Sequence, residues 1–256
     1  MSDLSTSELK DLLALALEGA RRAGEVILRL YWQGVSAELK ADATPVTEAD
    51  RRAELLLREY FAGETPGFGF LGEEYGEVAG AVPGRWIVDP IDGTKAFVHG
   101  VPLFGTLIAL EWRGTPLVGV VACHAVGETL WAARGLGAYR NGAPCRVSSL
   151  GTLEEATVLA TDWRAVVSRP GGTELFRRAH LARTWGDCYG YVLVASGRAE
   201  VMLDPELNLW DVAALEPIIT EAGGRIADWP GAPTPRSSAV AANAALFREV
   251  MGLLAP

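Results

Sequence analysis

Trp86-Ile87-Val88-Asp89-Pro90-Ile91-Asp92-Gly93-Thr94 is the stretch from which the rest of the chain is best read. An apolar strand runs into two aspartates, then into a glycine and a hydroxyl residue where a helix can begin. A buried strand carries no lone carboxylate, because an unpaired buried charge is very costly. Asp89 and Asp92 therefore stand where the strand leaves the core and can converge on a cation. Hard cations such as magnesium prefer oxygen ligands, and the Ile91 carbonyl between the aspartates offers another. Gly93 lets the backbone approach a ligand closely, and the Gly93 and Thr94 amides at a helix start favour a phosphate dianion. An ordinary acidic turn is the competing reading of the segment.

Working outward, Gly72-Glu73-Glu74 follows a short strand ending at Leu71. Glu73 or Glu74 could reach the same cations, or stand as a surface charge in a turn. Asn208-Leu209-Trp210-Asp211 places Asp211 in the first turn of an amphipathic helix. The helix dipole alone favours a carboxylate there, so cap and ligand are both open. Thr47 reads as the N-cap of a helix running to about residue 61. Asp50, taken alone, falls on a solvated face of that helix.

Apolar residues from Leu9 to Leu30 recur at helical spacing and predict an amphipathic helix over about 6–30. Residues 34–44 are polar, carry Lys40 and read as a loop. Strands are predicted at 68–71, 85–88, 103–112, 117–123 and 129–133, with a tight turn at Asn141-Gly142. The last third alternates: strand at 157–161, helices at 174–180 and 189–196, strand at 199–203. One helix over 210–222 ends at Gly223-Gly224, and a strand at 225–227 and a final helix follow. A seam at 148–153 divides the chain into an N-terminal α+β half, 1–150, and a C-terminal α/β half, 151–256, joined in one compact unit. A mixed layered sandwich is the natural architecture.

The formal charge of −9, from 32 acidic and 23 basic residues among 256, opposes a nucleic-acid surface. It does not oppose an anionic substrate, because bound divalent cations reverse the local sign. Three separated cysteines, Cys123, Cys145 and Cys188, provide neither a disulfide framework nor a thiolate zinc site and fit a reducing compartment. The start of the chain lacks a signal-peptide pattern and no apolar run reaches the roughly 20 residues of a membrane span. A cytoplasmic protein without a membrane partner is expected. His99, His124 and His180 show no ligand spacing, and no Gly-x-Ser-x-Gly or cysteine-centred nucleophile motif is present.

These segments resemble the inositol monophosphatase superfamily of lithium-sensitive, magnesium-dependent phosphatases. The Gly-Glu-Glu motif stands at 72–74, Asp-Pro-Ile-Asp-Gly-Thr at 89–94 and Trp-Asp at 210–211, in family order across nearly the whole chain. The resemblance implies an alternating α-β-α-β-α sandwich, often a homodimer, with two or three magnesium ions. It implies that Glu73, Asp89 and the Ile91 carbonyl hold one ion, and Asp89, Asp92 and Asp211 a second, with Glu73 helping a weaker third through water. Asp50 would pair with Thr94 to orient the attacking water, and Lys40 matches a lysine in the loop near the metals. Ala96 departs from the asparagine many members carry. The implied reaction is in-line attack on a phosphomonoester by metal-activated water.

Thr184-Trp185-Gly186-Asp187-Cys188-Tyr189, Thr44-Pro45-Val46-Thr47 and Asp204-Pro205-Glu206-Leu207-Asn208 resemble the histidinol-phosphatase branch. Histidinol phosphate carries an ammonium and an imidazole. Asp187 with Asp204 would pair with those cations and discriminate against a neutral polyol. Asp187 can instead be an N-cap. The rival readings are an inositol-1-monophosphatase or broad sugar-phosphate phosphatase, and a non-catalytic regulatory partner.

Overall fold

The computed structural model of the chain describes residues 4–34, 38–39, 45–229 and 235–255. Lys40 and Thr44 lie outside the described residues. In chain order the elements are α1 (Thr6–Gln33), β1 (Glu38–Leu39), β2 (Pro45–Val46), α2 (Glu48–Glu64), β3 (Gly69–Gly72), β4 (Gly76–Val78), β5 (Gly84–Asp92) and α3 (Thr94–Val98). Next come β6 (Gly105–Trp112), β7 (Thr115–Cys123), β8 (Glu128–Ala133), β9 (Gly137–Arg140) and β10 (Ala143–Pro144). The remainder is β11 (Thr157–Ala160), α4 (Trp163–Val167), α5 (Gly172–Arg178), β12 (Leu181–Arg183), α6 (Asp187–Ala195), β13 (Val201–Asp204), α7 (Leu209–Val212), α8 (Leu215–Glu221), β14 (Arg225–Ala227), β15 (Ala239–Ala242) and α9 (Phe247–Leu254).

Two large sheets order these elements. The first runs β10-β9-β8-β7-β6-β5-β3-β4, and only its β3–β5 pair is parallel. The second runs β12-β11-β13-β15-β14, with β11 parallel to both its neighbours. Strand alternation assigns each face to a different layer. Trp86, Val88, Ile108 and Leu110 pack with α1 and α2 through Ala16, Ala23, Ala53 and Phe61. Ile87, Leu107, Ala109 and Val121 on the other face meet Tyr191 and Val194 of α6 and Ile218 of α8. That central core also takes Leu159, Met202 and Ala241 from the second sheet, whose opposite face packs Val158, Val201 and Val240 against α4, α5 and α9. The result is the expected α-β-α-β-α sandwich.

Sequence expectation and structure differ where a local constraint intervenes. β5 runs four residues past the predicted 85–88, through the aspartate segment to Asp92. Its pairing with β6 is regular to Asp89 and then shifts before Asp92. The predicted helix over 210–222 is two helices, α7 and α8, with a turn at Ala213-Ala214. Pro217 offers no N–H and its ring crowds the carbonyl four residues back, which breaks the helix there. The segment 34–44 is not wholly loop, since Glu38–Leu39 pairs antiparallel with Pro45–Val46. The alanine-rich β15, fully buried, follows sheet context over helix propensity. Among the described residues no helix is long and apolar enough to cross a membrane.

Candidate active site

The shift in β5 builds the site. On a regular strand, residues three apart face opposite sides, so Asp89 and Asp92 would diverge. The irregularity between them resets the alternation, and both carboxylates turn into one cleft of about 610 Å³ between the two sheets' carboxylate-bearing ends. Thr106 steadies the irregular stretch: its hydroxyl donates to the Pro90 carbonyl at 2.8 Å and accepts from His124 Nε2 at 2.9 Å. Burial lowers the His124 pKa to about 4, keeping the ring neutral. His99 and His180 are exposed.

Asp211 arrives from α7, where Asn208 and Asp211 form a capping box and the Asn208 amide donates to Asp211 at 2.7 Å. One carboxylate oxygen from each of Asp89, Asp92 and Asp211 lies within 4.8 Å of the others. Each aspartate also takes one backbone N–H: Ile91 to Asp89 at 2.9 Å, Cys188 to Asp92, and Asn208 to Asp211. Burial raises all three pKa values, Asp211 to about 6 and Asp89 and Asp92 well above the carboxylate range. The negative charge of Glu73 adds to the rise of Asp89 and Asp211, that of Asp187 to the rise of Asp92. Glu73 stands in the turn after β3, lines the same cleft, and its charge raises the pKa values of Asp50, Asp89 and Asp211.

Asp50 is fully buried rather than solvated. It completes a capping box with Thr47, taking the Thr47 amide at 2.8 Å and the Thr47 hydroxyl. Its other oxygen lies 3.4 Å from Thr94 Oγ1, which donates to the Ile91 carbonyl at 2.9 Å. That carbonyl has a second lone pair free for a cation. Burial, then Glu73, raises Asp50 to about 6 against the pull of Thr47. Gly93 caps α3 with φ 85°, and a Cβ there would stand 3.3 Å from Asp187 Oδ2. A side chain would intrude where backbone meets cleft.

Asp187 is not the cap of α6, which is Gly186; it is the first helical residue, at φ 50°. Its amide donates to Thr161 Oγ1 at 2.8 Å. Among the described residues no donor hydrogen-bonds its carboxylate, which burial raises to about 6 while Lys95 opposes the shift. Asp204 is occupied instead: Tyr191 donates to it at 2.8 Å and Thr161 bonds it as well. Burial lifts its pKa to about 7. Lys95, Thr161 and Tyr191 were not anticipated. Lys95 adjoins Thr94 in sequence and was legible as a charge beside the motif; Thr161 and Tyr191 carry no local signal.

The cleft is lined by Glu73, Asp89, Asp92, Asp162, Asp187, Asp204, Glu206 and Asp211, with Lys95 the single basic residue among its described lining. Such a set repels a phosphate unless cations intervene. The carboxylate and carbonyl oxygens, already crowded and proton-hungry, fit a hard divalent ion such as magnesium.

Residues 8–255 match the Inositol monophosphatase family. The histidinol-phosphatase of Chlorobaculum parvum is 43% identical, over 94% of this chain and 96% of that protein. The histidinol-phosphatase of Mycobacterium tuberculosis is 41% identical over 94% and 96%. The crystal structure of the extragenic suppressor protein suhB from Bartonella henselae aligns with a TM-score of 0.88 at 30% identity, over 95% of this chain and 98% of that one.

Proposed function

The chain belongs to the inositol monophosphatase family, and from that premise we propose that this phosphoric monoester hydrolase is a magnesium-dependent histidinol-phosphate phosphatase. One observation carries the metal half of the reading: three carboxylates, Asp89 buried and Asp92 and Asp211 half-buried, with oxygens within 4.8 Å, in a cleft whose described lining holds eight acids to one base. Glu73, Asp89, Asp92, Asp211 and the Ile91 carbonyl would hold two or three ions. When bound, magnesium acidifies water and offsets the charge of the phosphoryl group.

The chain's own groups do the rest. The Gly93 and Thr94 amides hold phosphate oxygens. The Thr94 hydroxyl, shared between Ile91 and Asp50, orients the attacking water, and buried Asp50 receives its proton. Asp187 has carboxylate oxygens without a hydrogen-bond donor among the described residues and pairs with the substrate ammonium or imidazolium. Asp204, already filled by hydroxyls, shapes the pocket wall. The name shared by the relatives at 43% and 41% identity supports the substrate.

The test is phosphate release from histidinol phosphate, inositol-1-phosphate, fructose-1,6-bisphosphate and a nucleotide monophosphate, with and without magnesium. Histidinol phosphate should give the highest kcat/KM, only with magnesium. A preference for inositol-1-phosphate would reassign the substrate. No magnesium-dependent release from any member would make the protein a binding partner rather than an enzyme.

A further inference from the structure

Along α2, Asp50, Glu54 and Arg58 recur four residues apart and share one face. Asp50 serves Thr94, but Glu54, fully buried, serves another element. Its carboxylate accepts the Glu74 amide at 2.7 Å and the Tyr75 amide at 3.1 Å, both in the turn between β3 and β4. Arg58 donates to the same carboxylate at 2.8 Å and to the Gly76 carbonyl, closing the far side of the turn. The turn also hangs on the Glu73 amide, which donates to Val88 in β5 at 3.3 Å. Gly72 is explained by the same contact: a Cβ there would lie 2.2 Å from Glu54 Oε1. The carboxylate occupies the space a side chain would need.

We propose that Glu54 is a positioning residue that fixes the turn carrying Glu73, and thereby sets the affinity of the cation site to which Glu73 belongs. This rests on Glu73 being a metal ligand, as in the proposed function. A two-oxygen acceptor facing several N–H donors is satisfied only as a carboxylate. Glutamine would turn an N–H₂ toward at least one of them and leave a part-buried donor unpaired. The turn would then relax and Glu73 with it. Groups that orient a ligand characteristically change metal affinity about 10- to 100-fold.

The experiment is calorimetric titration of Mn²⁺ into the metal-free full chain, for wild type, Glu54→Gln, Glu73→Gln and the double variant, each checked as folded by circular dichroism. Glu54→Gln should weaken Mn²⁺ binding about 10- to 100-fold, yet add less than about twofold when Glu73 is already glutamine. Unchanged affinity in folded Glu54→Gln overturns the proposal. So does an equal added loss in both backgrounds, because Glu54 would then act independently of Glu73. If Glu54→Gln does not fold, Gly72→Ala displaces the same carboxylate and should show the same weakening; unchanged affinity there is equally fatal. Failure of wild type to bind Mn²⁺, or indifference to Glu73→Gln, would instead refute the metal reading itself.

Discussion

Asp89, Asp92 and Asp211 converge, each taking one backbone amide, with the Cys188 side chain also reaching Asp92 and the Asn208 side chain Asp211, whereas Asp204 is filled by the Tyr191 and Thr161 hydroxyls. The first group keeps open lone pairs and carries repulsion from Glu73 and Asp187, an arrangement that a cation relieves. The second is internally satisfied and gives shape. Asp187 lies between these cases: it shares Asp204's support through Thr161, but its own carboxylate faces Lys95 and the cleft without a hydrogen-bond donor among the described residues. Carboxylates in one cleft thus divide by what already occupies their oxygens.

The contrast breaks most visibly at Asp89. Asp89→Asn removes a shared ligand, and losing several kcal/mol of charge stabilisation should lower phosphate release by about 10³-fold. A loss under about tenfold, measured at saturating substrate, would put the ions elsewhere. Thr94→Ala should lower kcat by about 10²-fold while leaving Mn²⁺ binding intact, and Thr94→Ser should recover most of it. Parallel loss of metal binding would make Thr94 part of the metal scaffold.

Asp187→Asn and Asp204→Asn sharpen the selective side. The first should cost about 10- to 100-fold in kcat/KM for histidinol phosphate, the worth of a charge-assisted hydrogen bond, and little for p-nitrophenyl phosphate. The second should affect both substrates alike and lower Tm. Equal losses on both substrates for Asp187→Asn would remove the ammonium pocket.

The smallest effect is on stability without metal. Asp50, Asp187 and Asp211 are raised to about 6 and Asp204 to about 7, from an ordinary 3.8. Between those values the folded chain binds more protons than the unfolded chain, so stability falls as pH rises through that window. Tm of the metal-free protein should therefore drop by several degrees from pH 5 to pH 8, and magnesium should restore it at pH 8 far more than at pH 5. A flat profile would mean that the carboxylates are relieved by something other than protons or metal.

How much of this was readable in advance follows from where each constraint sits. Asp89, Asp92, Gly93 and Thr94 were legible because strand, turn and helix start are contiguous. The layered fold was legible from alternating apolar periods, and Thr47 as a cap from its place before Glu48. Asp50 read alone as solvated because its neighbours on α2, Glu48, Arg51 and Arg52, are charged; its burial depends on elements far away in sequence. The strand irregularity and the Thr161–Asp204–Tyr191 network are tertiary and leave little local trace, whereas the α7–α8 break has a local signal in Pro217. Glu54 is the extreme case, a glutamate on a charged helix whose amide partners lie twenty and twenty-one residues on.

The most direct measurement is anomalous diffraction from crystals grown with Mn²⁺. A strong peak is expected among the Asp89, Asp92 and Asp211 carboxylates, with a second near Glu73 and the Ile91 carbonyl. Peaks confined to surface carboxylates, with the three aspartates hydrogen-bonded only to one another, would contradict the metal reading.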